Sequence, residues 1–159
     1  MPDGLYEQDF LIWSETQATL LRRLAEGERV NALVDWANLI DEVGDLGRSE
    51  LSACEGLLVQ AMAHLLKLRR WPDSPDCAHW RGETVEFLAA ARRKFTPSMR
   101  QRLDLQDLYG DALRVFVARG GERSTVPESC PFTLGGLLAR DAEPAKLLTW
   151  PTSLEDSPC

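Results

Sequence analysis

Residues 36–67, WANLIDEVGDLGRSELSACEGLLVQAMAHLLK, read as one long amphipathic helix, and the rest of the chain is most simply read around it. Trp36, Leu39, Ile40, Val43, Leu46, Cys54, Leu57, Leu58, Ala61, Met62 and Leu65 recur at spacings of three and four, which is one face of a helix. Asp35 stands where an N-cap belongs, Arg69 and Arg70 suit a C-terminus by their charge, and Pro72 and Pro75 end the run. Such a helix is about 35 residues, or ~50 Å, long. Gly44, Gly47 and Gly56 weaken it by up to about 1 kcal/mol each relative to alanine, which leaves room for a bend near Gly44–Gly47.

Working toward the N-terminus, Tyr6, Phe10, Trp13, Gln17, Leu20, Leu21 and Leu24 form a second stripe over 6–26, with Gln17 its one polar interruption and Gly27 its stop. Toward the C-terminus, a helix from about Asp76 to Phe95 carries Trp80, Thr84, Phe87, Leu88, Ala91 and Phe95 on one side. Thr96-Pro97 then reads as a cap and first-turn proline for a fourth helix, ended by Gly120-Gly121. Beyond Glu122, prolines at 127, 131, 144, 151 and 158 forbid a long helix, and one short helix is expected at Thr133–Arg140. The expected fold is all-α: a four-helix-bundle-like core with a long second helix and an extended C-terminal arm. The domain division is 5–118 for the helical bundle and 119–159 for the arm, with Ser153–Cys159 as a frayed end.

A chain of 159 residues suffices for one domain with a hydrophobic core. Its net charge of −7 is unevenly spread. Residues 1–50 hold 11 acids and 4 bases, 51–118 hold 8 and 10, and 119–159 hold 6 and 4. A nucleic-acid binder needs a basic footprint; Arg92, Arg93, Lys94, Arg100 and Arg102 form a local cluster, but the acidic first helices oppose it, so nucleic acid is disfavoured. No apolar run approaches the roughly 20 residues of a membrane span, and the acidic start MPDGLYEQDF lacks the pattern of an export signal. Cys54, Cys77, Cys130 and Cys159 make no C-x-x-C pair, so a structural zinc site is not indicated and reduced thiols in the cytoplasm are expected. No cofactor motif is present.

The long helix carries more ionisable groups than a core element needs. At about 100° per residue, with Trp36 at zero, Glu50 falls about 40° from the centre of the apolar face and His64 about 80°. Glu42 lies on the flank, while Asp41, Asp45 and Arg48 point out. An inward Glu50 must find a partner, raise its pKa or reach water. His64 is either a packed histidine with one hydrogen bond or a ligand or general base. The two are 14 residues apart, about 21 Å, and cannot share one small site on that helix. Glu42 and Asp45, at i and i+3, are the weak candidates for a metal; the Glu-x-x-His pattern of di-iron bundles is absent.

Short loops make successive helices antiparallel neighbours. Levels counted from those loops gather His64, Lys67, Trp80, Arg81, Tyr109 and Arg114 at one end, the composition of an anion-accepting site. His64, Arg81 and Glu50 are the catalytic candidates; Lys67, Trp80, Tyr109 and Arg114 are the binding candidates. The same counting leaves apolar surface uncovered around Trp36–Val43. A bend, a second protomer, or the apolar arm (Phe132, Leu134, Leu137, Leu138, Leu147, Leu148, Trp150) would cover it.

Several segments in order, YEQDFLIW (6–13), NLIDEVGDLGRSE (38–50), AHLLKL (63–68), HWR (79–81) and CPFTLGGLL…TWP (130–151), resemble the bacterial domain-of-unknown-function family 29. The resemblance is strongest over 5–118 and implies an all-helical bundle from a bacterial cytoplasm. Glu42, Leu46, Gly47, Arg48, Ser49, Glu50, His64, Leu65, Leu66, Lys67, Trp80 and Arg81 fall in its signature segments. Gly44 is a departure, standing where the family has a stronger helix former. The family has no established activity, so the resemblance assigns no catalytic residue.

These readings favour a non-catalytic protein-interaction or self-association module, forming a homodimer or taking a protein partner through the long helix and the arm, with no membrane. The alternative is an enzyme on a small anionic substrate with a His64/Arg81 end pocket, in one version metal-dependent.

Overall fold

The computed structural model describes residues 4–150. Among these, all regular structure is helical: α1 (Leu5–Gln8), α2 (Phe10–Ala25), α3 (Trp36–Arg70), α4 (Cys77–Lys94), α5 (Leu105–Ala118), α6 (Leu134–Leu137) and α7 (Pro144–Leu147), with short 3-10 turns between several of them. The expected frayed end, Ser153–Cys159, lies outside the described residues. The chain divides into two compact units, Met1–Ser49 and Glu50–Cys159, and α3 contributes its first turns to one and the remainder to the other.

In the first unit, the single helix expected over 6–26 is two. Asp9 leaves helical conformation at φ −150° and its carboxylate accepts from the Ile12 amide at 3.1 Å, capping α2. Cap chemistry at an Asp outweighs an unbroken apolar stripe. Gly27, at φ +91°, ends the segment in the left-handed region that suits glycine. The unit has a small apolar cluster of Leu20, Val30 and Val34, with Leu24 and Leu39 against it. A polar network adds to it. Buried Gln17 accepts from the Asp35 amide at 2.9 Å, and Asp35 in turn accepts from Trp13 Nε1 at 3.0 Å and Asn38 Nδ2 at 2.8 Å. Those donors, Asn38 foremost, hold the Asp35 carboxyl below its usual range. Tyr6 stacks edge-on against Phe10 and Trp13 and donates its hydroxyl to Glu42 at 2.5 Å.

In the second unit, α3 supplies Cys54, Leu58, Ala61, Met62, Leu65 and Leu66 to one continuous core. Leu88 and Ala91 come from α4, and Leu108, Tyr109, Ala112, Leu113 and Phe116 from α5. The fourth helix begins later than expected. Thr96-Pro97 opens only a 3-10 turn, Pro97–Met99, and α5 starts at Leu105, where Asp104 accepts from the Asp107 amide at 3.1 Å. Gly121 lies against buried Phe116; a Cβ there would stand 2.4 Å from the ring, so the chain needs glycine to turn past it.

The C-terminal segment is part of this core. Phe132 and Leu137 are buried in it, and Leu134, Leu138, Leu147, Leu148 and Trp150 pack against it. Thr133 caps the short α6 by accepting from the Gly136 amide at 3.1 Å. Trp36, Ile40 and Val43, whose covering was the open question, remain exposed.

Candidate functional site

The last turns of α3 lie within the second unit, and there the helix is buried on nearly every side: Ala61, Met62, Ala63, Leu65, Leu66, Lys67 and Leu68 are all buried. A wheel that distinguishes an inner from an outer face therefore fails at this level, and polar residues are carried inside with apolar ones.

Lys67 is the clearest case. Its side chain is 6 % exposed, and its ammonium stands over the Trp80 ring, 4.7 Å from the centroid. Burial, and after it the Arg119 guanidinium, lower its pKa below the usual lysine value, against the pull of Glu83 and Asp76. Lys67 and Trp80 line a cleft of about 570 Å³ with Arg70, Trp71, Pro72, Asp73, Ser74, Asp76 and Arg119. Trp71 lies 6.2 Å from Trp80, centroid to centroid, so the two tryptophans form one wall, and buried Phe116 packs 5.7 Å from Trp71.

One turn earlier, His64 Nε2 meets Glu83 at 2.5 Å and Nδ1 faces the Gln60 carbonyl at 3.1 Å. Glu83 also meets His79 Nε2 at 3.3 Å, and the His64 ring stands edge-on to Phe87 at 5.5 Å. Two acceptors around one ring favour the imidazolium, whereas burial favours the neutral form. Burial is the larger effect and lowers the His64 pKa. The contact with His64 holds the Glu83 carboxyl below its usual range.

Of the six residues expected at this end, the structure brings Lys67 and Trp80 into one cleft and sets His64 beside α4. Arg81 is exposed and does not line the cleft. Tyr109 is fully buried and donates to the Pro127 carbonyl at 2.7 Å; burial pushes its pKa up to about 12. Arg114 is on the surface, paired with Asp111 at 3.1 Å. Glu50, expected to point inward, is exposed and pairs with Lys94, the last residue of α4, at 3.1 Å. It sits where the second unit's packing begins, so its carboxylate clears the core. Glu42 accepts from Tyr6, and Asp45 pairs with Arg48. Among the described residues, no group of three or more histidine, cysteine or carboxylate side chains is arranged to hold a metal. Cys54, Cys77 and Cys130 are free thiols; Cys159 lies outside the described residues.

Sequence reasoning missed Arg70, Trp71 and Arg119, because a cleft built from the ends of α3 and α5, the start of α4 and a loop has no periodic signal. Glu83 was legible in principle, since His79 and Glu83 stand at i and i+4.

The sequence model of the domain of unknown function DUF29 matches residues 5–142. The chain belongs to this family. The match runs through α6, beyond the helical region where the resemblance was strongest. Among solved structures, the chain is similar to an α-helical protein of unknown function from Rhodospirillum rubrum, at 25% identity and a TM-score of 0.64, over 90% of this chain and 94% of that one. Comparison with curated proteins gives no match. Among the described residues, no helix of this DUF29 protein is long and apolar enough to cross a membrane.

Proposed function

We propose that this DUF29 protein is a non-catalytic interaction module of the bacterial cytoplasm, whose first unit docks an amphipathic helix with basic flanks. The observation that carries this reading is the outer face of α3. Ile40, Val43 and Leu46 are 66 %, 62 % and 68 % exposed, with Trp36 also open to solvent. Trp36, Ile40 and Val43 fall within about 60° of one another on the helix, and Leu46 about 60° further round. Gly47 continues the stripe, with open space where a Cβ would project. Phe10, Leu11 and Ile12 of the same unit are exposed as well. Isolated exposed apolar side chains need no explanation, but a stripe with helical spacing is what a docked helix recognises.

Charge selects the occupant. Residues 1–49 carry 10 acids against 4 bases, so a second copy would bring like charge against like. A partner with lysine or arginine beside its apolar face meets complementary charge, which raises both encounter rate and specificity. The free thiols of Cys54, Cys77 and Cys130 are compatible with a reducing compartment.

A direct test titrates two synthetic amphipathic helices of matched leucine pattern, one lysine-flanked and one glutamate-flanked. The basic peptide should bind, more weakly in high salt, and Ile40→Asp with Val43→Asp should abolish binding. Equal binding of both peptides, or no effect of the double variant, would refute the reading. So would a mass of twice 17.8 kDa that the double variant halves, since the stripe would then belong to a second copy.

A further inference from the structure

The cleft at the ends of α3 and α5 is independent of that stripe, and nothing in an interaction module requires it. Lys67 lines it almost wholly buried, and the one close contact of its ammonium among the described residues is with the Trp80 ring. The ammonium makes no hydrogen bond or ion pair among the described residues; Glu83 and Asp76 act on it only at longer range, and a ring face recovers only part of its lost hydration. Two further cations open onto the same space. Arg70 lies over the Trp71 ring, and Arg119, at the C-cap of α5, has no ion pair among the described residues. The acids lining the cleft, Asp73 and Asp76, also form no ion pair there. Among the residues lining the cleft, three cations stand against two carboxylates, with Glu83 acting on Lys67 from outside it. Trp71 and Trp80, their rings tilted 51° to one another, supply an apolar wall beside these cations. At about 570 Å³, the space is within the range of small-molecule sites.

We propose that this cleft binds a small organic oxyanion, its head beside Lys67 and within reach of Arg70 and Arg119, its apolar body against the aromatic wall of Trp71 and Trp80. The anion supplies the direct ion pair that neither Glu83 nor Asp76 makes with Lys67. The aromatic wall selects against bare inorganic ions, which gain nothing from it. Carboxylates and phosphate monoesters share this chemistry.

Calorimetric titration of the full chain with a matched set tests the assignment: 1-naphthoate, 1-naphthyl phosphate, neutral 1-naphthylmethanol and inorganic phosphate. At least one naphthyl anion should bind at least about tenfold more tightly than the neutral alcohol, and more tightly than inorganic phosphate, in keeping with a charge-assisted contact. The tighter of the two identifies the head group. Lys67→Met keeps the buried stem and removes the charge. It should weaken anion binding by about tenfold or more while the melting temperature holds or rises, because an unpaired buried charge has gone. Arg119→Gln, at an exposed position, should weaken binding in a chain whose folding is not at risk, and Arg81→Gln, outside the cleft, should not. Equal affinity for the alcohol and the anions, undiminished binding in both Lys67→Met and Arg119→Gln, inorganic phosphate binding as tightly as its naphthyl ester, or no binding of any probe would overturn the proposal.

Discussion

At Gln17, a polar side chain in an apolar stripe looks like a flaw in the sequence. In the structure it accepts from the Asp35 amide at the start of α3 and links two helices. His64 is the same kind of residue, an interior polar group whose partner, Glu83, comes from the next helix. Its pKa, lowered by burial, has a consequence for stability. The ordinary value is 6.5, so the unfolded chain takes up the proton first. The contribution of the neutral ring is complete above that value and is lost as pH falls toward the folded pKa. Glu83 adds a loss in the same direction at lower pH, below its ordinary 4.5, as its depressed carboxyl is protonated. The melting temperature should therefore fall between about pH 7.5 and about pH 5.5, and His64→Gln should flatten that slope. A wild-type slope that rises on acidification would contradict the assignment. Tyr109→Phe removes the hydroxyl that reaches the Pro127 carbonyl and leaves that acceptor without its donor; it should cost about 1–2 kcal/mol in denaturant unfolding.

Helices were legible in proportion to the length of their apolar period. The extent of α3 was readable from Asp35, the Trp36–Leu65 stripe and the prolines beyond Arg70, and it forms as read. Boundaries set by local chemistry were not. Asp9 breaks the first stripe, and Thr96-Pro97 starts a turn while Asp104, seven residues on, caps the true helix. Each competing cap is a single side chain, and periodicity cannot rank them. The arm was readable as apolar but not as to its destination, because Phe132 and Leu137 join residues distant in sequence. Leu137→Ala should cost roughly 2–5 kcal/mol, the range for a buried leucine in a packed core. An arm merely resting on the surface would give well under about 1 kcal/mol.

For the molecule as a whole, composition and charge were the most informative quantities. The acidic excess of the first third, visible without coordinates, becomes a property of one unit once the chain divides at Ser49–Glu50: residues 1–49 hold 10 acids and 4 bases, and 50–159 hold 15 and 14. The candidate sites divide likewise: an apolar stripe on the acidic unit, and an aromatic, cation-lined cleft in the other. Lys67 and Trp80 were readable as neighbours because helix levels can be counted from short loops. Arg81, Tyr109 and Arg114 were not separable from them, since level alone does not say which way a side chain turns. The measurement that bears most directly on the interaction reading is amide chemical-shift mapping of the full chain as the lysine-flanked peptide is added. Shifts concentrated on Trp36–Gly47 and reduced by salt are the predicted result. Shifts centred elsewhere, or none with the peptide in excess, would contradict it.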